Sequence, residues 1–277
     1  EDTAGSLSAP APQMPEIPVA ASSAAALFRE LQQVDMMASA VQATQHLLTA
    51  WHSAALQKAD WQGGNLDLEA IGAARQLEHL PVTGDVRLLS RLDLPVMVGM
   101  AIPPSGETRF VLIRQMAETH CLVQFRRKYT VPLESITNNW SGEAHLFWKD
   151  FEQIGSLLSV GSVGKSVEKL QDLLANVGQH ADGAPLFGDL GGRHTQFFGQ
   201  RTQEAVARFQ QMQHLVSDGI VGPRTLILLY KRLSEYATPS LSSIGVTVSP
   251  HALPNGATTG KGDRRAHASR TPHIEGE

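Results

Sequence analysis

Cysteine is nearly absent from this 277-residue chain. Its one copy, Cys121, excludes an internal disulfide and any structural zinc site built on several cysteines. No apolar run reaches the roughly 18 residues that mark a membrane-spanning helix. Charge of one sign is also scarce: 23 basic against 27 acidic residues leave −4. So small a net charge exerts little pull on nucleic acid or an anionic membrane. The text opens with neither methionine nor a charged-then-apolar leader, so no signal peptide is legible, and it reads as a piece cut from a longer protein. There are 11 histidines but no HExxH, no His-x-His and no paired carboxylate at helical spacing. His180, Asp182 and His194 share one loop, where a solvated histidine is the commoner case. No metal and no cofactor are expected.

What is present is apolar material, 42% of the chain, in enough length for one large domain or two small ones. Residues 1–24 are rich in Ala, Ser and Pro and read as an extended linker. From Ala25 to Leu56 the spacing of Leu27, Leu31, Val34, Met37, Val41 and Leu48 is helical. A shorter helix is read over 65–77, with Asn65 as its N-cap. The period then changes. Apolar, β-branched runs at 94–102, 108–116 and 120–127, divided by "PPSGE" and "AETH", read as hairpin-connected strands. Residues 129–136 are extended and then helical, and 143–151 supply a last strand. Helices followed by an antiparallel sheet give an α+β domain over 25–154. Trp51 and Trp61 are read as closing its core, and Glu143 and His145 as a pair on one strand face.

A Gly/Ser linker at 155–163 leads to an amphipathic helix over 165–177. Then one phrase is written twice: "FFGQRTQEAVARFQ" at 197–210 and "IVGPRTLILLYK" at 220–231, both apolar-apolar-Gly-x-Arg-Thr before a helical run. Pro223 suits a first helical position. Thr202 and Thr225 fall in the first turn, where a hydroxyl can reach back to the backbone ahead of the helix. Asp218 and Gly219 make a tight turn, and a β-branched residue at Gly222 is expected to suit its turn poorly. A small three-helix, all-α domain over 164–236 results. The tail, 237–277, has almost no apolar pattern and reads as disordered. Its "GATTGKGDRR" lacks the spacing, the Ser/Thr after Lys261 and the preceding strand of a phosphate loop.

"VEKLQDLL…FFGQRTQEAVARFQ…VSDGIVGPRTLILL" resembles the peptidoglycan-binding domain family over about 162–236. The resemblance implies a noncatalytic three-helix module that holds cell-wall material in a shallow groove. An insert at 179–196 departs from the pattern at a place where it could cover or reshape that groove. Peptidoglycan presents amides, hydroxyls and carboxylates, so a binder needs donors around a small apolar floor. The positions carried forward are Phe198, taken as an exposed ring, Gly199, Arg201, Thr202, Gln210, Asp218, Gly222 and Arg224. Arg201, Gln210 and Arg224 are the donors among them, although a solvated face is their plainer reading.

"LDLPVMVGMAIPPSGETRFVLIRQMAETHCLVQF" and "VPLESITNNWSGEAHLFW" resemble the papain-like fold of double-glycine-leader peptidases. In that pattern the catalytic His precedes the "F-V-V-L" strand, and Arg109 stands in its place in "TRFVLI". The nucleophilic Cys of that family falls by order within 38–48, a stretch with no cysteine. Arg cannot accept a proton. Nor can Cys121 pair with His120, since neighbouring strand residues point to opposite faces; Cys121 is read as half-buried. The first domain is therefore expected to be a pseudo-enzyme.

A silent peptidase-like domain followed by a peptidoglycan-binding domain is similar to the periplasmic region of the general secretion pathway protein A family. That resemblance implies the soluble part of an inner-membrane protein. It also implies peptidoglycan as ligand, a general secretion pathway protein B type partner, and a role in helping the secretin of type II secretion cross the wall. Ring-like homo-oligomers would fit such a role, and no nucleic-acid partner is implied. The rival readings are a wall-anchored peptidoglycan hydrolase, and a peptide-binding domain that uses the old substrate cleft.

Overall fold

Aspartates punctuate the first half of the chain and divide it into short elements. The computed structural model describes residues 21–61, 64, 66–155, 157–178 and 195–242. Helix α1 spans Ala21–Leu31 and α2 spans Met36–Ala50. The single helix expected over 25–56 is broken at Asp35, whose carboxylate accepts the Ala38 amide at 2.7 Å as an N-cap. Asp67 caps α3 (Leu68–Ala73) and Asp85 caps α4 (Val86–Leu92) in the same way. The N-cap assigned to Asn65 thus belongs to Asp67, and Asn65 lies outside the described residues.

The strands are β1 (Glu78–Thr83), β2 (Val96–Ile102), β3 (Glu107–Met116), β4 (His120–Gln124), β5 (Lys128–Pro132) and β6 (Trp140–Trp148). A short helix, α5 (Leu133–Thr137), separates the last two. They form one antiparallel sheet in the order β1-β6-β2-β3-β4-β5. Neither β1 nor α4 was legible in the sequence. Pro81 argues against a strand, yet β1 lies on the sheet edge, where its missing N–H costs no ladder bond.

Alternation sorts the sheet's side chains to two faces. Met97, Phe110, Leu112 and Phe147 pack with Ala43, Leu47, Leu48 and Ile71 of the helices α2 and α3. Val98, Val111 and Ile113 belong to a second core, which also takes in Leu170, Val206, Phe209 and Leu229 from the C-terminal helices. Those are α6 (Lys165–Val177), α7 (Gln200–Met212) and α8 (Pro223–Arg232). Residues 21–242 accordingly lie in one compact unit rather than two separable ones. The Tyr230 hydroxyl donates to Asp150 at 2.5 Å and that of Tyr236 to Glu152 at 2.9 Å, with Phe151 packed against both rings.

The chain does not leave the fold at residue 237. Leu241 is buried, its carbonyl accepts the Met116 amide at 2.7 Å, and Ser242 bridges to Met116. Residues 237–242 are thus an ordered strap, not part of a disordered tail; "GATTGKGDRR" lies outside the described residues. Asp93 fastens the strap: it accepts from Lys231 Nζ at 2.9 Å and from the Ser242 amide at 2.6 Å. Burial alone would raise its carboxyl pKa, but these hydrogen bonds and that of Ser240 outweigh burial and hold it below the ordinary value.

Candidate wall-binding site

Each repeated phrase is an attachment point for the glutamine of the preceding helix. Gln171 on α6 donates through Nε2 to Thr202 Oγ1 at 3.0 Å and to the Phe197 carbonyl at 3.2 Å. Gln210 on α7 donates to Thr225 Oγ1 at 3.3 Å and to the Ile220 carbonyl at 2.8 Å. In both copies the carbonyl lies two residues before the glycine and the threonine three after it. Gln171, Thr202, Gln210 and Thr225 are all buried, so these bonds satisfy groups that water does not reach.

The threonines therefore do not cap their helices as the sequence suggested. Gly199 and Gly222 occupy the N-cap positions, and neither α7 nor α8 has a side-chain cap. Gly164 does the same for α6, so the apolar-Gly helix start occurs three times. Gly222 is extended, at φ −128° and ψ −174°, a conformation any residue adopts. The expected backbone demand falls instead on Gly219, at φ 69°, where an added Cβ would stand 2.5 Å from Gln203 Cγ.

The residues read as a linker, 155–163, are stitched into this unit. Leu158 and Val221 exchange backbone hydrogen bonds of 3.0 and 2.8 Å. Gly161 donates to the Phe198 carbonyl at 3.0 Å, and the Phe198 amide to Ser162 at 2.9 Å. One extended segment thus pairs with the same position of both phrases. Its outward side chains, Leu157, Val160 and Val163, are 51–73% exposed.

Two open hollows flank the turns. The first is lined by Thr195, Phe197, Gly199, Arg201 and Glu204, and adjoins the insert, of which 179–194 lie outside the described residues. His180, Asp182 and His194 fall there too. The second hollow, about 340 Å³, is lined by Ile220, Gly222, Pro223 and Arg224, with Leu157 and Val216 beside them. Arg201, Asp218 and Arg224 are exposed. Asp218 Oδ1 accepts the Ile220 amide at 2.9 Å, as its turn chemistry predicts.

Two assignments are corrected. Phe198 is fully buried, and the exposed ring is its neighbour Phe197, at 54%. The strand pairing of Phe198 turns it inward, and "FF" gave no means of choosing between the two. Gln210 is 3% exposed, and its amide is committed to Thr225, Ile220, Asp218 and the Gly219 amide. It holds the turn rather than offering a donor to a ligand.

In the sheet domain, Arg109 donates through Nε to the Val34 carbonyl at 2.6 Å and pairs with Glu107 at 2.6 Å. It ties the turn ahead of α2 to the start of β3. Ser39, within the stretch assigned to a lost cysteine, is fully buried. Its hydroxyl donates to Met36 and accepts the Phe110 amide. Cys121 is 2% exposed, not half-buried, and burial pushes its thiol up to about 12. Glu143 and His145 meet at 2.9 Å, and the other ring nitrogen of His145 lies 3.1 Å from His79, a partner on unrecognised β1. Burial, then the neighbouring His145, lowers the pKa of His79 to about 4. Trp61 is 38% exposed and does not close a core, whereas Trp51 packs against both. Among the described residues no group of three or more His, Cys, Asp or Glu could hold a metal ion, and no helix is long and apolar enough to cross a membrane.

No curated protein matches the chain in sequence. Among solved structures it is similar to a periplasmic domain of the EpsAB fusion protein of the Vibrio vulnificus type II secretion system. That match has 20% identity and a TM-score of 0.45, over 75% of this chain and 84% of that one. It is also similar to the N-terminal peptidase C39-like domain of a toxin secretion ATP-binding protein from Vibrio parahaemolyticus. There the identity is 14% and the TM-score 0.32, over 42% of this chain and 98% of that one. Residues 163–229, which hold α6, the first repeated phrase and most of the second, match the family model of the putative peptidoglycan binding domain.

Proposed function

We propose that this chain is a noncatalytic binder of peptidoglycan, serving as the periplasmic part of a type II secretion assembly factor. The observation that carries the wall-binding reading is the match over 163–229 to the putative peptidoglycan binding domain. The doubled Gln–Thr geometry agrees with it, since it fixes two hollows with exposed arginines beside apolar side chains. The secretion role rests on domain order, a peptidase-like fold followed by a wall-binding module. In that role the protein is the soluble part of an inner-membrane protein. It works with a partner of the general secretion pathway protein B type to bring the secretin through the wall, as a ring-like assembly.

A wall hydrolase would need an activated nucleophile or a metal. Ser39 is buried with its hydroxyl doubly engaged, Cys121 is buried with a raised pKa, and Arg109 cannot serve as a base. These observations favour a silent sheet domain.

Co-sedimentation with purified sacculi tests the binding. The intact chain should pellet, and the Arg201→Ala/Arg224→Ala variant should bind at least about tenfold more weakly, as for the loss of one charge-assisted hydrogen bond. Wall-gel zymograms should show no clearing. An intact chain that stays in the supernatant would overturn the proposal.

A further inference from the structure

The second hollow is not made by the wall-binding helices alone. Leu80, from edge strand β1 of the sheet domain, lines it together with Leu157, Leu215, Val216, Ile220 and Pro223. This lining is aliphatic and contains no aromatic side chain. Leu157 and Val216 are 68% and 79% exposed, so a large part of it faces solvent. The neutral polar side chains at its floor, Gln210 and Thr225, are bonded to each other and to the turn. Free hydrogen-bonding capacity is thereby concentrated in two charges. Arg224 is exposed and has no hydrogen bond or ion pair among the described residues. Asp218 has no ion pair there either, and the Ile220 amide and Gln210 hold its carboxylate in place.

A sugar ring binds best on a flat aromatic platform or among many free donors and acceptors, and this hollow supplies neither. A short peptide with small aliphatic side chains fits an aliphatic floor. Its terminal carboxylate would meet the unpaired guanidinium, for which a forked pair is the favoured geometry. An amino group on the same peptide would meet Asp218. The volume, about 340 Å³, is at the small end of the range for small-ligand sites and suits a few residues rather than a glycan strand.

We infer that this hollow takes the stem-peptide part of the wall, a short peptide ending in a free carboxylate, with Leu80 of the sheet domain as one of its contact residues. The inference rests on the wall-binding reading above and adds which part of the wall is held, and by which two parts of the chain. Because β1 contributes a wall of the hollow, the site is complete only with the sheet domain in place. The silent domain then has a direct share in recognition.

The test titrates the intact chain, by calorimetry and by amide chemical shifts, with three soluble probes beside the sacculus assay. The probes are a synthetic stem peptide ending in D-Ala-D-Ala, the same peptide as its C-terminal carboxamide, and an N-acetylglucosamine tetramer. The free acid should bind with shifts centred on residues 215–225. The carboxamide should bind about tenfold more weakly, and the sugar should leave these amides unmoved. Leu80→Glu should weaken the free acid about tenfold. Leu80→Ala, which keeps the strand register, should weaken it severalfold; because Leu80 also packs against the core, both variants are titrated at a temperature where their melting curves show them folded. Sugar binding in place of peptide, or peptide binding indifferent to Leu80 and to the carboxylate, would overturn this inference while sacculus binding still stood. Loss of sacculus binding by the intact chain would instead overturn the function on which it rests.

Discussion

If the repeated phrase exists to receive a glutamine, each glutamine should be energetically coupled to its own threonine and not to the other one. Gln210→Ala removes the amide that accepts the Gly219 N–H at 2.9 Å and donates to Ile220 at 2.8 Å. Gly219 is buried, so its N–H would be left unsatisfied, at about 1–3 kcal/mol. The lost bond to Ile220 adds about 1 kcal/mol, for a total of about 3 kcal/mol. Thr225→Val, nearly isosteric, forfeits one bond and should cost about 1 kcal/mol. In the double variant the second loss has no partner left, so the costs should fall short of their sum by about 0.5–1 kcal/mol. Gln171→Ala with Thr202→Val should show the same coupling or a larger one, its bond being shorter at 3.0 Å. The crossed pair, Gln171→Ala with Thr225→Val, shares no partner and should be additive within about 0.5 kcal/mol. Urea unfolding followed by far-ultraviolet circular dichroism measures all of these. A cost for Gln210→Ala below about 1 kcal/mol, or a crossed pair coupled as strongly as the matched ones, would refute this account of the repeat.

Two further outcomes test the turn and the sheet. Gly219→Ala should cost about 1–3 kcal/mol, because φ is 69° and the new Cβ meets Gln203 Cγ at 2.5 Å, whereas the extended Gly222 should accept alanine within about 0.5 kcal/mol; thermal melts of the pair compare them directly. His79 is neutral in the fold down to a pKa of about 4, against an ordinary 6.5, so the unfolded chain takes up the proton first. Stability should therefore be unaffected by His79 above pH 6.5 and should fall as pH drops from there towards 4. Discounted for partial exposure, the loss is about 2 kcal/mol, and His79→Gln should flatten this part of a urea-midpoint profile; an unchanged profile would remove His79 from the account.

The parts that were legible in the sequence were those with a single strong period. The strands β2 and β3 carry continuous apolar runs, β4 alternates, and the helices α6, α7 and α8 each carry an apolar helical face. What failed to show depended on partners distant in sequence. β1 reads as irregular because His79 and Pro81 interrupt it, and only its place at the edge of β6 makes it a strand. The threonine hydroxyls suggested caps because capping is local, but their actual partners lie 31 and 15 residues earlier. Phe198 and Phe197 are chemically identical, and the backbone pairing with Gly161 and Ser162 alone turns one inward. The two turns were thus legible as places, but not which of their side chains face outward.

The same distant pairings bear on why, under the function proposed, a noncatalytic sheet domain would be kept beside a binding one. The core around Val111 and Ile113 continues into Leu170, Val206 and Leu229 without a solvent layer, so neither half buries its apolar surface alone. Lys231 reaches Asp93, and Leu241 lies between the α4 end and β3, adding polar ties at the seam. A flexible joint would let the second hollow lose its Leu80 wall each time the halves parted. A continuous core holds that wall in place before any ligand arrives, which removes an ordering cost from binding. Under the function proposed above, the sheet domain's task is mechanical: it sets the geometry of a hollow whose chemistry belongs mostly to its neighbour.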